Sequence, residues 1–280
     1  MRWLGPLLSV SRPRLWVYLG GTYAVGFVLG AHNLHDLLSW RFWAHLVFFL
    51  PFANLLLYGI NALCDGEPTE LQDTPDTVAQ HVMPQHRRLV TYGVLTAVVA
   101  LCVLLGLARD WHEQLLLGLF LVLAVLDGLP PVRLQARPVL DLIASVLFVL
   151  PAFLGYYQTS GQYPAILVMV AALCWTSALR LLSAVQTILP DRDAGVRTTA
   201  AALGVRTSLL VCALLWSGLA LIIVLAGYLM PLGMVVFVYP LLGFYLFEHF
   251  ELGALVATWL PWLNGALGGG VIVLALARLA

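Results

Sequence analysis

The sequence predicts an all-α, polytopic membrane protein, and three observations carry that prediction. Of 280 residues, 61% are hydrophobic and only 10% are charged, whereas a soluble domain carries about 25% charged residues. Mean hydropathy is +0.94. Apolar runs near the length that crosses a hydrocarbon core, about 20 residues, recur along the whole chain. Their uninterrupted length argues against a transmembrane barrel, whose strands alternate over about ten residues.

Nine spans are expected, at 15–31, 42–63, 89–108, 113–128, 138–157, 163–186, 208–229, 231–247 and 254–277. The fourth is the shortest, and only a tight Met230-Pro231 turn joins the seventh to the eighth. The opening stretch "MRWLGPLLSVSRPRLW" has the outline of a signal peptide. However, Arg12 and Arg14 stand just before the first long apolar run, and no small-residue cleavage site leads into a soluble domain. It is read as a cytoplasmic tail running into a membrane helix.

An odd number of spans puts the termini on opposite sides. With the N-terminus inside, the tail and the even-numbered loops carry Arg2, Arg12, Arg14, Arg87, Arg88, Arg133, Arg137, Arg192, Arg197 and Arg206, and the other side carries Arg41, Arg109 and Arg278. Ten against three places the N-terminus in the cytoplasm, in a multi-pass protein of the cell (inner) membrane. The acids follow the same side: Asp65, Glu67, Glu70, Asp73, Asp76, Asp127, Asp141, Asp191, Asp193, Glu248 and Glu251 against Asp36, Asp110 and Glu113. The positive-inside rule asks nothing of acids, so the cytoplasmic face has a use for both signs. An anion held through metal ions is one such use.

Composition also excludes. Formal net charge is zero, so no basic bulk calls for nucleic acid. All 14 basic residues are Arg, which excludes Schiff-base chemistry on Lys. Cys64, Cys102, Cys174 and Cys212 are scattered without metal or redox spacing and read as buried thiols.

The chain carries a trace of duplication. "SRPRLWVYLG" opens the first span and "ARPVLDLIAS" the fifth, with Arg12-Pro13 and Arg137-Pro138 125 residues apart. Asn61…Asp65 closes the second span and Thr187…Asp191 the sixth, 126 residues on. The matching offset suggests one domain over 1–280 built of two parallel four-helix halves, roughly 10–130 and 135–250, plus a ninth helix. The loops after the second and sixth spans are then equivalent.

Three stretches carry chemistry. In "NALCDGEPTE", Asn61 and Asp65 are four apart and share a helix face. Their oxygens suit a hard cation such as Mg²⁺, with Glu67 just beyond; a solvated loop of helix-end acids is the competing reading. In "ILPDRDAGVRTTAAALG", Asp191 and Asp193 alternate with Arg192 and Arg197 around Gly195, which permits a tight turn. Mixed acids and arginines suit a polyphosphate, with Mg²⁺ bridging some oxygens and guanidinium forks pairing with others; a solvated loop competes here too. In "DGLPPVRLQARPVLD", Arg133 and Arg137 are four apart. They serve either as a phosphate contact or as a positive-inside anchor.

These residues resemble the UbiA superfamily of membrane prenyltransferases over nearly the whole chain. "SRPRLW" looks like the family's start. "YGINALCD" looks like its first acidic motif, and "PDRDAGVRTTAAALG" like the end of its second. "PPVRLQARPVLD" followed by "LFVLPAFLGYY" is most similar to the lycopene elongase branch of carotenoid prenyltransferases. The resemblance implies nine helices around a cavity. It also implies two Mg²⁺ ions on an isoprenyl diphosphate, ionisation to an allylic cation, and attack by a lipophilic acceptor such as a carotenoid. Carried onto this chain, Asp65 and Asp191 hold Mg²⁺ with Glu67, Asp193 and Asn61 assisting, and Arg133, Arg137 and Arg197 clamp the diphosphate. The pattern departs in places: Ala62, Thr69 and Thr187 stand where the family has Asp. The alternatives are a relative that hydrates a carotenoid double bond and a non-catalytic isoprenoid-binding membrane protein. Membrane lipid is the expected surround, and no protein partner is evident.

Overall fold

The structure, a computed structural model, describes residues 4–64, 84–193, 195–226 and 235–279. Among the described residues every regular element is a helix, with no strand. In hydrocarbon each backbone N–H and C=O must find a partner within its own segment, and a helix provides that. We number the principal helices α1 (Leu4–Ser11), α2 (Gly20–Gly30), α3 (Trp40–Cys64), α4 (Arg87–Gly106), α5 (Trp111–Gly128), α6 (Leu140–Phe148), α7 (Leu150–Ser160), α8 (Ile166–Val185), α9 (Ile188–Asp193), α10 (Thr199–Leu203), α11 (Val205–Leu225), α12 (Val238–Glu248) and α13 (Gly253–Leu279). Among the described residues six long helices are apolar enough to cross a membrane, and a seventh span results if α6 and α7, bent by 41°, are one. The protein is therefore an integral membrane protein.

Differences from the expected spans have local causes. The first, read as 15–31, is a 3-10 turn over Pro13–Tyr18 followed by the 11-residue α2. The fifth, read as 138–157, bends at Val149, just before Pro151 in the first turn of α7. Proline sits there without losing a helical hydrogen bond. The turn expected at Met230-Pro231 lies outside the described residues. Inside α3, Pro51 has no N–H to give, and the helix widens to a π turn over Phe48–Phe52. The buried Asn54 amide answers two of the carbonyls there, donating to Phe49 O (3.0 Å) and Leu50 O (2.6 Å).

The chain forms two compact units. The first holds residues 1–133, 150–162 and 268–280, and the second 134–149 and 163–267. The first is centred on aromatic rings: Phe49 lies 5.3 Å from Phe120 and 5.4 Å from Tyr23, centroid to centroid. In it α2 packs closely on α7. A Cβ on Gly26 would lie 1.9 Å from the Ala152 carbonyl oxygen. Gly26→Val is therefore expected to push the helices apart and cost about 1–3 kcal/mol, read as a lowered melting temperature in detergent. An unchanged melting temperature would show the contact to be slack.

The same unit buries a polar chain. Arg41 Nη1 lies 3.3 Å from Glu113 Oε1, with the two residues 8% and 1% exposed. Arg41 Nη2 also donates to the Leu107 carbonyl, and Glu113 Oε2 accepts the Arg109 N–H at 3.0 Å. His45 bonds to the Arg41 carbonyl through Nδ1 (2.8 Å) and contacts Gln158 Nε2 through Nε2 (3.2 Å). Gln158 Oε1 accepts from the Tyr23 hydroxyl at 2.9 Å. One proton assignment satisfies every atom in that row: Gln158 donates to His45, and His45 donates to Arg41 O. Nearby, Asp110 caps α5 by accepting the His112 and Glu113 N–H groups at 2.9 and 3.0 Å. Burial pushes the Asp110 carboxyl up, but the Glu113, Tyr157 and His112 contacts outweigh it, and its pKa is lowered below the ordinary value.

The second unit packs α8, α11 and α12 around Trp216, which is fully buried with Ala178, Leu181, Leu209 and Leu246 around it. Tyr239 donates to Asn264 Oδ1 at 2.5 Å.

Candidate active site

Candidate residues fall in both units, and each set is described by itself. In the first, Asn61 stands on the last turn of α3. A Cβ on Gly128 would lie 1.8 Å from Asn61 Oδ1, so glycine at the end of α5 gives the amide its place. Two arginines contact this stretch of α3. Arg87 Nη2 donates to the Leu63 carbonyl at 3.0 Å, and the Arg12 guanidinium lies 4.7 Å over the Tyr58 ring. Asp65, Glu67 and Thr69 lie outside the described residues, and Ala62, on α3, has no ligand atom in its side chain. Arg133 follows α5 with a φ of 41°, its N–H bonded to Leu129 O at 3.0 Å.

In the second unit, Thr187 precedes α9 and Asp191 lies within it. The Thr187 hydroxyl donates to Asp191 Oδ2 at 2.8 Å, and the Thr187 carbonyl accepts the Asp191 N–H at 2.7 Å. Asp193, two positions on, is not on the same helix face. Gly195, at φ +70°, turns the chain back, so that the Val196 N–H reaches Asp191 O at 2.7 Å. Arg192 Nη2 then holds the Ala201 carbonyl at 3.1 Å. Thr198 caps α10, accepting the Ala201 N–H at 3.1 Å. This turn leaves Arg197 exposed between the acid helix and the cap.

The Arg137 segment is joined to this turn through Asp141 and Thr199. Asp141 is 1% exposed. It accepts the Thr199 N–H at 2.8 Å, the Thr199 hydroxyl, and the Leu142 N–H at 2.9 Å. The Thr199 oxygen accepts the Val139 N–H at 2.7 Å. Val139, β-branched, has a φ of +68°, a conformation that costs of order 1–3 kcal/mol and persists only where its surroundings impose it. The structure thus pairs Thr187 with Asp191 and ties the Arg137 backbone to Thr199 through Asp141, with Arg197 in the turn between the two sets. Sequence reading gave Asp141 and Thr199 no role. The signal available was a carboxylate at the start of an apolar span, which calls for a partner.

Donor chemistry tests the expected metal. Asp191 offers hard carboxylate oxygens beside the Thr187 hydroxyl, the type that Mg²⁺ prefers. Among the described residues no three His, Cys, Asp or Glu side chains come together as a metal cage. The fit is to a cation held by few protein carboxylates and completed by phosphate and water, as Mg²⁺ commonly is.

The profile of the UbiA prenyltransferase family matches residues 19–257. The chain belongs to this family. Among characterised relatives, the lycopene elongase/hydratase of Haloferax volcanii is 36% identical over 219 residues, 75% of this chain and 69% of that one. The lycopene elongase/hydratase of Halobacterium salinarum is 34% identical over 245 residues, 85% of each chain. Among solved structures, a UbiA homolog from Archaeoglobus fulgidus bound to Cd²⁺ superposes with a TM-score of 0.69 at 20% identity, covering 98% of this chain and 99% of that one. The same homolog bound to geranyl diphosphate (GPP) and Mg²⁺ gives 0.63 at 19% identity, covering 96% and 100%. These superpositions show that this member of the UbiA family has the fold of its relatives.

Proposed function

We propose that the protein transfers a prenyl group from an isoprenyl diphosphate to a lycopene-type carotenoid in the membrane. The observation that carries this reading is its similarity to haloarchaeal lycopene elongase/hydratases over 85% of both chains in one case. The GPP- and Mg²⁺-bound homolog supports a prenyl diphosphate donor with a divalent cation. The finer reading adds nine spans in two duplicated halves, an N-terminus and acidic loops on the cytoplasmic side, and two Mg²⁺ ions.

Asp65 and Asp191 would hold the cation, with Glu67, Asp193 and Asn61 assisting. When bound, it neutralises charge on the diphosphate leaving group. Arg133, Arg137 and Arg197 would pair with the remaining diphosphate oxygens through their planar forks. The C–O bond breaks with both electrons leaving on diphosphate. The allylic cation then takes an electron pair from a carotenoid double bond, and a C–C bond forms. The resulting carotenoid cation is discharged by losing a proton or by adding water with loss of a proton.

The relatives' double name favours a second reading, addition of water to a carotenoid double bond. Expression in lycopene-producing cells, with pigments identified by mass, tests both. The expected result is a pigment heavier by an isoprenyl unit, whose formation in isolated membranes stops with EDTA and resumes with Mg²⁺. A pigment gaining water alone would support the second reading, and no new pigment with a folded protein present would overturn both.

A further inference from the structure

We propose that Asp141 is a positioning residue for diphosphate. Its buried carboxylate ties the Arg137 segment to the Arg197 segment, so that the two exposed arginines present as one unit. The inference rests on the diphosphate reading above.

Arg137 lies two residues before Val139, and Arg197 two before Thr199. Val139 and Thr199 are the stitched pair, their N–H and hydroxyl oxygen 2.7 Å apart. The Thr199 hydroxyl gives its proton to Asp141, which leaves its lone pairs for Val139. The Asp141 N–H closes the loop on the Arg137 carbonyl at 3.0 Å. A row of hydrogen bonds ending on a buried carboxylate is strengthened along its length. Val139 at φ +68° is the conformation that this row imposes.

Packing alone does not account for a carboxylate here. An apolar side chain of similar volume serves a buried place as well or better, because an ionised group must be stripped of water. What the carboxylate adds is direction, since donors from Leu142 and from both ends of Thr199 converge on it. Guanidinium forks recognise phosphate only when held in register. The buried clamp supplies that register to side chains that are themselves exposed.

The test uses the full chain in lipid nanodiscs, with dimethylallyl diphosphate and lycopene as substrates and inorganic diphosphate as inhibitor. Thr199→Val keeps shape and removes both the proton and the lone pairs. It is expected to raise the KM for dimethylallyl diphosphate and the Ki of inorganic diphosphate about tenfold, with the KM for lycopene unchanged. Thr199→Ser restores both constants to within about twofold. Asp141→Asn, of the same shape, shifts them in the same direction and serves where Thr199→Val does not accumulate as folded protein. If Thr199→Val and Asp141→Asn lower only the melting temperature and leave KM and Ki per folded enzyme unchanged, while Arg197→Ala raises them, the positioning role is overturned and the diphosphate site stands. If Arg137→Ala and Arg197→Ala also leave Ki unchanged, the diphosphate reading itself is wrong.

Discussion

Asp191→Ala is expected to lower prenyl transfer by about 100-fold or more, with helix content and membrane insertion unchanged. The structure makes the contrast sharp. Asp191 is half-buried on a short helix, where its carboxylate accepts from the Thr187 hydroxyl. Its loss removes a carboxylate from a set already reduced by Ala62, Thr69 and Thr187. On the proposed reading, few groups remain to hold the cation that takes up leaving-group charge. Loss of one stabilising group at such a centre costs about 2.7–4 kcal/mol of barrier. Thr187→Val, which removes one hydrogen bond to Asp191, should cost only severalfold, in line with about 1 kcal/mol for such a bond. Asp193→Ala should fall between, because Asp193 is off the Thr187–Asp191 face. Initial rates of membranes carrying each variant, titrated with Mg²⁺, give the order. If Asp191 holds the cation, the Asp191→Ala curve moves to higher Mg²⁺. Full activity of Asp191→Ala at ordinary Mg²⁺ would remove it from the site.

Where hydrocarbon dictates the structure, the sequence is readable to within a few residues. The runs expected at 89–108, 163–186 and 254–277 appear as helices Arg87–Gly106, Ile166–Val185 and Gly253–Leu279. Apolarity and helix coincide there because lipid leaves the backbone no other partner. The same reasoning is blind to breaks inside an apolar run. Neither the π turn at Pro51 nor the bend at Val149 changes hydropathy, and both depend on how single prolines and their carbonyls are satisfied. The acids were visible as a cluster, but their division of labour was not. Asp191, Asp193 and Asp141 all read as cytoplasmic-edge carboxylates. Only the structure separates one facing Thr187, one off that face, and one sealed inside a clamp. That separation depends on Thr199, whose neighbour Thr198 looks the same in sequence and does a different task, capping α10. The Arg41–Glu113 pair was hidden for a related reason. The two residues are 72 apart, and each read separately as a loop charge beside a span.

Glu113→Ala is expected to destabilise the first unit by about 3–5 kcal/mol, the cost of leaving a buried ion without its partner. Two donors would lose three hydrogen bonds together. Arg41 Nη1 loses both carboxylate oxygens, at 3.3 and 3.4 Å, and the Arg109 N–H loses its acceptor at 3.0 Å. Arg41 also carries the carbonyl to which His45 is bonded, so a shift of Arg41 passes to His45, Gln158 and Tyr23. The double variant Arg41→Met with Glu113→Leu separates charge from fold. Replacing both ions by hydrocarbon removes the orphaned charge and is expected to recover much of the lost stability. Melting temperatures of the two variants in detergent, measured beside wild type, read the difference. A double variant no more stable than Glu113→Ala would mean that the polar row itself holds α2, α3, α5 and α7 together. A Glu113→Ala protein as stable as wild type would mean that water reaches Arg41. The Arg41–Glu113 row belongs to the first unit, and the Asp191–Asp141 network, with Arg137 and Arg197, to the second. Glu113→Ala should therefore lower the melting temperature while leaving the KM for diphosphate substrate of the folded fraction in place.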